Sequence, residues 1–233
     1  TIRSPYYLHA KGAGQETSMV TIGVSIGIAM FPDHGKDIQS LIQNADLAMY
    51  ESKSNGKNQY TIYEKSLVSK ATMQLKIEQG LKNALNDNKF QLYYQPLVDL
   101  NGKIKGVEAL LRWKDEELGQ ISPSKFIPVA EEKGLIVPLG NWVLERACHD
   151  MAQYEKKHEK GMYVSINVSP VQLREKNFVD TVVKIIDRTG IPPHLVHLEI
   201  TEFSLMRNPE QTIEKLLKIK ELRSGVSIVI DDF

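Results

Sequence analysis

Apolar residues near the amino terminus alternate first with period two and then recur with the period of a helix. In residues 20–28 every second position is Val or Ile and the residues between are small, which predicts a strand with one apolar face. After Asp37, which can cap a helix, apolar residues recur at helical spacing as far as Lys53. Residues 59–63 alternate again. The chain is therefore predicted to begin with a strand, a helix and a second strand.

The next part of the chain changes from a helical pattern to two strand-like runs. Residues 64–88 carry an apolar stripe at helical spacing, which predicts a connecting helix. Residues 90–100 and 103–113 are strand-like, and Asn101-Gly102 between them is the commonest signal of a two-residue hairpin. An antiparallel pair is therefore predicted to open a second domain.

Helical and strand patterns then alternate to the end of the sequence. The predicted helices cover residues 123–132, 138–157, 179–189 and 210–222, and the predicted strands cover residues 162–168, 196–201 and 226–230. Such alternation is typical of a parallel sheet covered by helices on its faces. The predicted fold class is therefore α/β, and the pattern leaves an open doubly wound sheet and a closed barrel as alternatives.

Oxygen-bearing side chains stand in or at the ends of the predicted strands, namely Glu108, Asn167, Glu199, Glu202, Asp231 and Asp232. Any one of them alone is more often a helix cap or a solvated loop residue. Together they would meet at the carboxyl ends of parallel strands, where the catalytic residues of barrel enzymes gather. Carboxylate and amide oxygens suit Mg²⁺ or Mn²⁺, and the adjacent carboxylates of Asp231 and Asp232 repel one another unless cations hold them. Two such cations would serve the hydrolysis of a phosphodiester.

Other polar residues carry less specific signals. His194 and His197 are three residues apart, but they straddle a loop-to-strand junction and are interpreted as ordinary polar residues. Arg112 can donate charge-assisted hydrogen bonds to a phosphate. Its alternative role is a surface ion pair with Asp115 or Glu116.

Composition limits the classes of function. The 233 residues are 42% hydrophobic and 25% charged, which excludes collagen-like, disordered and coiled-coil proteins. Lys and Arg together number 29, as do Asp and Glu together, so the formal net charge is zero. The net charge therefore attracts neither DNA nor an anionic membrane to the protein. Cys148 is the only cysteine and is expected in the core, without a disulfide framework. No apolar run reaches the about 20 residues of a membrane span. We therefore expect a cytoplasmic segment without DNA or membrane contact, within a protein that other segments can anchor to a membrane.

Several short motifs in the second half of the chain together resemble the EAL family of cyclic di-GMP phosphodiesterases. They are YQPLV at 94–98, VEALLRW at 107–113, FIPVAE at 126–131, INVS at 166–169, LEITE at 198–202 and IDDF at 230–233. The resemblance covers about residues 81–233 and implies a TIM-like (β/α) barrel whose first strand runs antiparallel to the rest. Because such a barrel takes about 250 residues, residues 81–233 would form only its amino-terminal part.

The resemblance also implies the function and the site. The family hydrolyses cyclic di-GMP to linear pGpG with metal-activated water. The implied ligands of the Mg²⁺ or Mn²⁺ pair are Glu108, Asn167, Glu199, Asp231 and Asp232. Glu202 would anchor the loop after Asp232, so that Glu108, Glu199, Glu202, Asp231 and Asp232 form the catalytic set. Gln95, Leu110 and Arg112 would contact the substrate.

The amino-terminal part resembles the C-terminal half of a GGDEF domain, the diguanylate cyclase fold. The matching motifs are VTIGVSIGI at 20–28, FP at 31–32, ADLAMY at 45–50 and KSNGKN at 53–58. We therefore assign residues 1–63 to this domain, 64–80 to a connecting helix and 81–233 to the EAL barrel. Two alternative functions are a catalytically inactive receptor of cyclic di-GMP and a protein that acts mainly as a diguanylate cyclase. A homodimer through the EAL domain is also expected by the resemblance.

Overall fold

The computed structural model describes the backbone of residues 6–9, 17–20, 22–87, 89–158, 161–207 and 209–231, with all their side chains except those of 6–9, 17–20, 203, 207 and 231. Contacts between residues divide the chain into two units, residues 1–76 and 77–233. The boundary falls inside one helix, Ser66–Ala84. The domain limits predicted from the sequence stay a prediction.

The first unit contains two short strand pairs and a helix. Strands β1 (Tyr6–His9) and β2 (Thr17–Val20) pair antiparallel, and β3 (Ile26–Ile28) pairs parallel with β4 (Tyr60–Ile62). Helix α1 (Ile38–Ser54) contacts both β3 and β4 and is followed by α2 (Ser66–Ala84). The predicted strand over residues 20–28 is too long, because residues 22–25 are not in a strand.

Two local features explain this packing. Asp37 caps α1 as predicted, since its side chain accepts a hydrogen bond from the Ser40 backbone N–H at 2.8 Å. A Cβ placed on Gly27 would lie 1.9 Å from the carbonyl oxygen of Ala45, so only glycine lets α1 approach β3 this closely. Gly27 of the alternating pattern therefore marks a helix contact.

The second unit alternates strands and helices. Its strands are β5 (Phe90–Val98), β6 (Ile104–Asp115), β7 (Gly119–Ile121), β8 (Tyr163–Asn167), β9 (Val196–Thr201) and β10 (Ser227–Asp231). Its helices are α3 (Pro123–Glu132), α4 (Ile136–His158), α5 (Pro170–Arg174), α6 (Phe178–Thr189), α7 (Glu202–Arg207) and α8 (Pro209–Leu222), with a 3₁₀ turn at Pro193–Leu195. None of the helices among the described residues is both long and apolar enough to cross a membrane.

These strands form one sheet in the order β10-β9-β8-β6-β5, with β7 paired to β6. The pairs of β6 with β8, β8 with β9 and β9 with β10 are parallel, whereas β5 and β7 both run antiparallel to β6. The predicted antiparallel opening and parallel continuation are therefore confirmed. The hairpin differs from the two-residue turn, because the last pair is Val98 with Ile104 and residues 99–103 connect the strands.

Apolar side chains on one face of the sheet form the core with α4, α6 and α8. Val164, Ile166 and Leu198 are fully buried in this cluster, as is Cys148 of α4. Because side chains alternate along a strand, the residues between them point to the opposite face. We call that opposite face the inner face. It carries Gln95, Glu108, Leu110, Arg112, Ser165, Asn167, His197, Glu199 and Thr201.

A polar network on the core side ties β5 to α4. The Tyr94 hydroxyl and the Arg146 guanidinium both donate to the same Asp150 oxygen, each at 2.9 Å. Burial, together with the nearby carboxylate, raises the pKa of Tyr94. Burial opposes ionisation of Asp150, but the hydrogen bonds from Arg146 and Tyr94 hold its pKa below the ordinary value. The strand that carries Gln95 is therefore fixed to the helix beneath it.

Lys215 of α8 holds the carboxyl end of α5. Its ammonium donates to the backbone carbonyl oxygens of Leu173, Arg174 and Glu175 at 2.9, 3.0 and 2.8 Å. Burial lowers the pKa of Lys215. A five-residue helix cannot satisfy its own last carbonyls, so the lysine replaces the missing helical donors.

Replacing Lys215 with Met should lower the free energy of unfolding by about 1–3 kcal/mol, because carbonyl groups that a charged donor now satisfies would lose their partner. Urea unfolding followed by circular dichroism measures the change. Lys218→Met is the matched control, since Lys218 is exposed on the same helix. Equal effects of the two substitutions would contradict this role of Lys215.

Cys148 should resist alkylation in the folded protein, because burial raises the pKa of its thiol to about 12 and leaves the side chain 1% exposed. At pH 8, iodoacetamide should label the protein fully in guanidinium and only at the rate of unfolding in buffer. Since the chain has one cysteine, intact mass reports the reaction directly. Rapid labelling in buffer would contradict the buried placement.

Candidate active site

Strand β8 lies between β6 and β9, and the polar residues of these three strands share the inner face. In register, Glu108 of β6 stands opposite Ser165 of β8, and Asn167 of β8 stands opposite Glu199 of β9. Glu108 and Glu199 are half-buried, while Asn167 is exposed at the carboxyl end of its strand. The register therefore places Glu108, Asn167 and Glu199 on one face of adjacent strands, and their role as a common site stays a prediction.

Hydrogen bonds connect the residues of the three strands. The Asn167 side-chain amide donates to Oε1 of Glu108 at 2.8 Å. The Ser165 hydroxyl donates to Oε1 of Glu199. Beyond the strand end, the Val168 backbone N–H donates to the Glu199 carbonyl oxygen at 2.8 Å, which extends the ladder past Asn167. Each carboxylate is therefore oriented by a neutral donor from β8.

The chemistry of these donors fits a hard divalent cation. Glu108, Asn167 and Glu199 offer carboxylate and amide oxygens from adjacent strands, the ligand types that Mg²⁺ and Mn²⁺ prefer. Among the described side chains, no three His, Cys, Asp or Glu residues lie close enough to hold a metal ion. β10 ends at Asp231, directly opposite Thr201 of β9. The side chain of Asp231 and the whole of Asp232, both predicted ligands, lie outside the described residues.

The three predicted substrate contacts lie on the inner face of β5 and β6. Gln95 stands opposite Glu108 in the antiparallel pair, while Leu110 and Arg112 follow Glu108 on the same face of β6. The Arg112 guanidinium carbon lies 5.5 Å from the centre of the Tyr93 ring, and Nη1 donates to the Leu111 carbonyl oxygen at 2.9 Å. Within the described residues Arg112 forms no ion pair with Asp115 or Glu116, the alternative role considered above.

A cavity of about 290 Å³ adjoins the strand ends. Its wall includes Leu110, Arg112 and Asn167 of the predicted site, together with Glu131 of α3 and Ser169. The Ser169 hydroxyl donates to Glu131 at 2.6 Å and accepts the Val171 N–H at 3.1 Å as the N-cap of α5. The turn that follows Asn167 is therefore held from α3.

Glu202 is the remaining described residue of the predicted catalytic set. It is exposed as the first residue of α7, directly after β9. The preceding Thr201 hydroxyl pairs with the Ser204 hydroxyl at 2.8 Å. The loop that Glu202 was predicted to anchor lies outside the described residues, so this role stays a prediction.

Sequence reasoning missed three residues of the inner face. Ser165 was interpreted only as part of an apolar strand, and Tyr163 was not singled out. His197, interpreted as an ordinary polar residue, stacks on the Tyr163 ring with centroids 3.9 Å apart, and burial lowers its pKa. A Cβ on Gly106 would lie 2.5 Å from the Tyr163 ring, so the glycine makes room for this stack. Ser165 lies two residues before Asn167 and therefore on the same face of the strand, and this period-two placement is the signal that would have found it.

Comparison with known proteins identifies the family. Residues 78–233 match the family model of the EAL domain. The chain belongs to the EAL domain family. Residues 9–59 match the model "Diguanylate cyclase, GGDEF domain". The resemblances of the motifs to the EAL and GGDEF families are therefore confirmed. The predicted α/β fold class with a TIM-like barrel is confirmed as well.

Two curated relatives come from Pseudomonas aeruginosa. The chain is 39% identical over 92% of its length to the bifunctional diguanylate cyclase/cyclic di-GMP phosphodiesterase MucR, and 36% identical over 90% of its length to the cyclic di-GMP phosphodiesterase NbdA. It spans 31% and 27% of the length of these relatives.

A solved structure shares the fold. The PaMucR phosphodiesterase in complex with c-di-GMP superposes with a TM-score of 0.64 at 36% identity, covering 68% of this chain and 64% of that one. Phosphodiesterases with an EAL domain generally depend on divalent metal ions.

Proposed function

We propose that the EAL domain of this chain hydrolyses one phosphodiester bond of cyclic di-GMP and releases linear pGpG. The observation that carries the proposal is the grouping of Glu108, Asn167 and Glu199 on adjacent strands of the inner face. NbdA and MucR are named as cyclic di-GMP phosphodiesterases, and the similar structure is a complex with c-di-GMP, which supports the choice of substrate.

Each residue of the site has a chemical role in this proposal. Glu108, Asn167 and Glu199, with Asp231 and Asp232, would hold Mg²⁺ or Mn²⁺. When bound, the cations supply an activated water and neutralise charge on the leaving 3′ oxygen. The remaining side chains act on the substrate itself.

Arg112 would bind a phosphate of the substrate, since a guanidinium matches the geometry of phosphate oxygens. The Tyr93 ring and the Leu111 carbonyl hold Arg112 beside the cavity and leave it without a carboxylate partner among the described residues. Leu110 lies between Arg112 and Glu108 on the inner face and offers apolar surface to a base or ribose. Gln95, exposed on β5 opposite Glu108, would donate or accept a hydrogen bond.

The other properties expected from the resemblance stay predictions. They are a cytoplasmic location, a homodimer through the EAL domain, and the contribution of Glu202. Analytical ultracentrifugation with and without cyclic di-GMP tests the dimer.

Hydrolysis is tested with the longest natural form of the protein, incubated with cyclic di-GMP and Mg²⁺ or Mn²⁺. Chromatography should show pGpG that requires the metal. Glu108→Gln should reduce the rate by at least about 100-fold, because even residues that only support a metal ligand cost up to this factor. Glu116→Gln, an exposed glutamate on the loop after β6, is the matched control. Tight binding of cyclic di-GMP without pGpG would instead favour the receptor.

Metal binding can be measured without substrate. Mn²⁺ titration followed by electron paramagnetic resonance should show binding that Glu199→Gln weakens by about 10-fold or more, since the amide oxygen carries no charge. Glu214→Gln serves as control, because Glu214 is exposed on α8. Unchanged Mn²⁺ affinity in Glu199→Gln would remove Glu199 from the ligand set.

A further inference from the structure

The hydrogen bonds between β8 and its neighbours cross the register of the strands. Ser165 stands opposite Glu108, and Asn167 stands opposite Glu199. Each β8 side chain nevertheless donates to the other glutamate, Asn167 to Glu108 and Ser165 to Glu199. These two side-chain hydrogen bonds therefore join residues that stand diagonally in the register.

This crossing sets the height of both carboxylates along the strands. Residues two apart on a strand differ in height by about 6.6 Å. Glu108 reaches toward the carboxyl end, to the level of Asn167, whereas Glu199 reaches back toward the level of Ser165. The two carboxylates thus exchange levels along the strands relative to the backbone positions that carry them.

Ser165 has one hydroxyl hydrogen, so its bond to Glu199 determines which carboxylate it serves. The side chain is 1% exposed, so water does not replace it readily. A neutral hydroxyl also leaves the charge of Glu199 in place, whereas a lysine or arginine at this position would compete with a cation for the carboxylate. The serine therefore orients Glu199 without placing a competing positive charge beside it.

We propose that Ser165 is a positioning residue that fixes the carboxylate of Glu199 for a divalent cation. The inference rests on the proposed function, because that function assigns Glu199 to the metal. Outer hydrogen-bond partners of this kind orient metal ligands, and their loss commonly weakens metal binding by about 10- to 100-fold.

The test is Ser165→Ala, which removes the hydroxyl and adds no volume. Mn²⁺ affinity, measured by electron paramagnetic resonance in the longest natural form of the protein without substrate, should fall by about 10- to 100-fold. Ser165→Thr, which keeps a hydroxyl, should recover part of the affinity. Ser52→Ala is the matched control, since Ser52 is also fully buried and donates to the Gln59 carbonyl oxygen at 2.6 Å. It should leave Mn²⁺ affinity unchanged.

A double-mutant cycle separates positioning from general damage. If Ser165 acts through Glu199, Ser165→Ala should have little further effect on Mn²⁺ affinity in a Glu199→Gln background. In a Glu108→Gln background its effect should persist. Equal effects of Ser165→Ala in both backgrounds, or wild-type Mn²⁺ affinity in the single variant, would overturn the proposal.

The outcome is distinguishable from failure of the proposed function. Weaker Mn²⁺ binding in Ser165→Ala, together with absence of pGpG from the wild-type protein, would support the positioning role and reject the phosphodiesterase. Metal-dependent pGpG formation by the wild-type protein, together with unchanged Mn²⁺ affinity in Ser165→Ala, would support the phosphodiesterase and reject the positioning role. A wild-type protein that binds no Mn²⁺ would overturn the positioning role itself.

Discussion

The position of β8 between β6 and β9 is the constraint on which the site depends. Its residues alternate between the core and the inner face, with Val164 and Ile166 buried under the helices and Ser165 and Asn167 pointing the other way. A slip of one residue would exchange these two sets, turning Ser165 and Asn167 into the apolar core and Val164 and Ile166 to the inner face. The apolar core therefore fixes the register, and the register brings Glu108 and Glu199 to their partners on β8.

Much of the second unit could be predicted from periodicity, because its elements are long enough to show it. Helix α3 and strand β9 have the predicted bounds. Helices α5 and α7 were missed, since five or six residues contain too few turns to display a helical stripe. The strand predicted at residues 20–28 shortens to β3, and the reason is a contact distant in sequence: α1 lies directly on Gly27.

The site shows the same division between local pattern and long-range contact. Glu108, Asn167 and Glu199 could be proposed from the sequence because several carboxylate and amide side chains in or at the ends of successive strands would gather at one end of a barrel. The crossing of their hydrogen bonds could not, since it depends on which strand lies between the other two. Arg112 illustrates the limit as well, because sequence spacing suggested nearby acids, whereas Asp115 lies 3.7 Å from Lys89 and Arg112 faces Tyr93.

The segment after Asn167 shows how the fold limits motion at the site. Ser169 caps α5 and bonds to Glu131 of α3, while Lys215 of α8 holds the other end of the same short helix. Helix α5 is too short to be stable alone, so both of its ends are satisfied by groups from other helices. A ligand held at the end of a strand needs such support, because displacement by about 1 Å can remove much of its effect. The polar contacts around Asn167 thus maintain the geometry of the inner face, and the apolar core beneath the sheet supplies the stability.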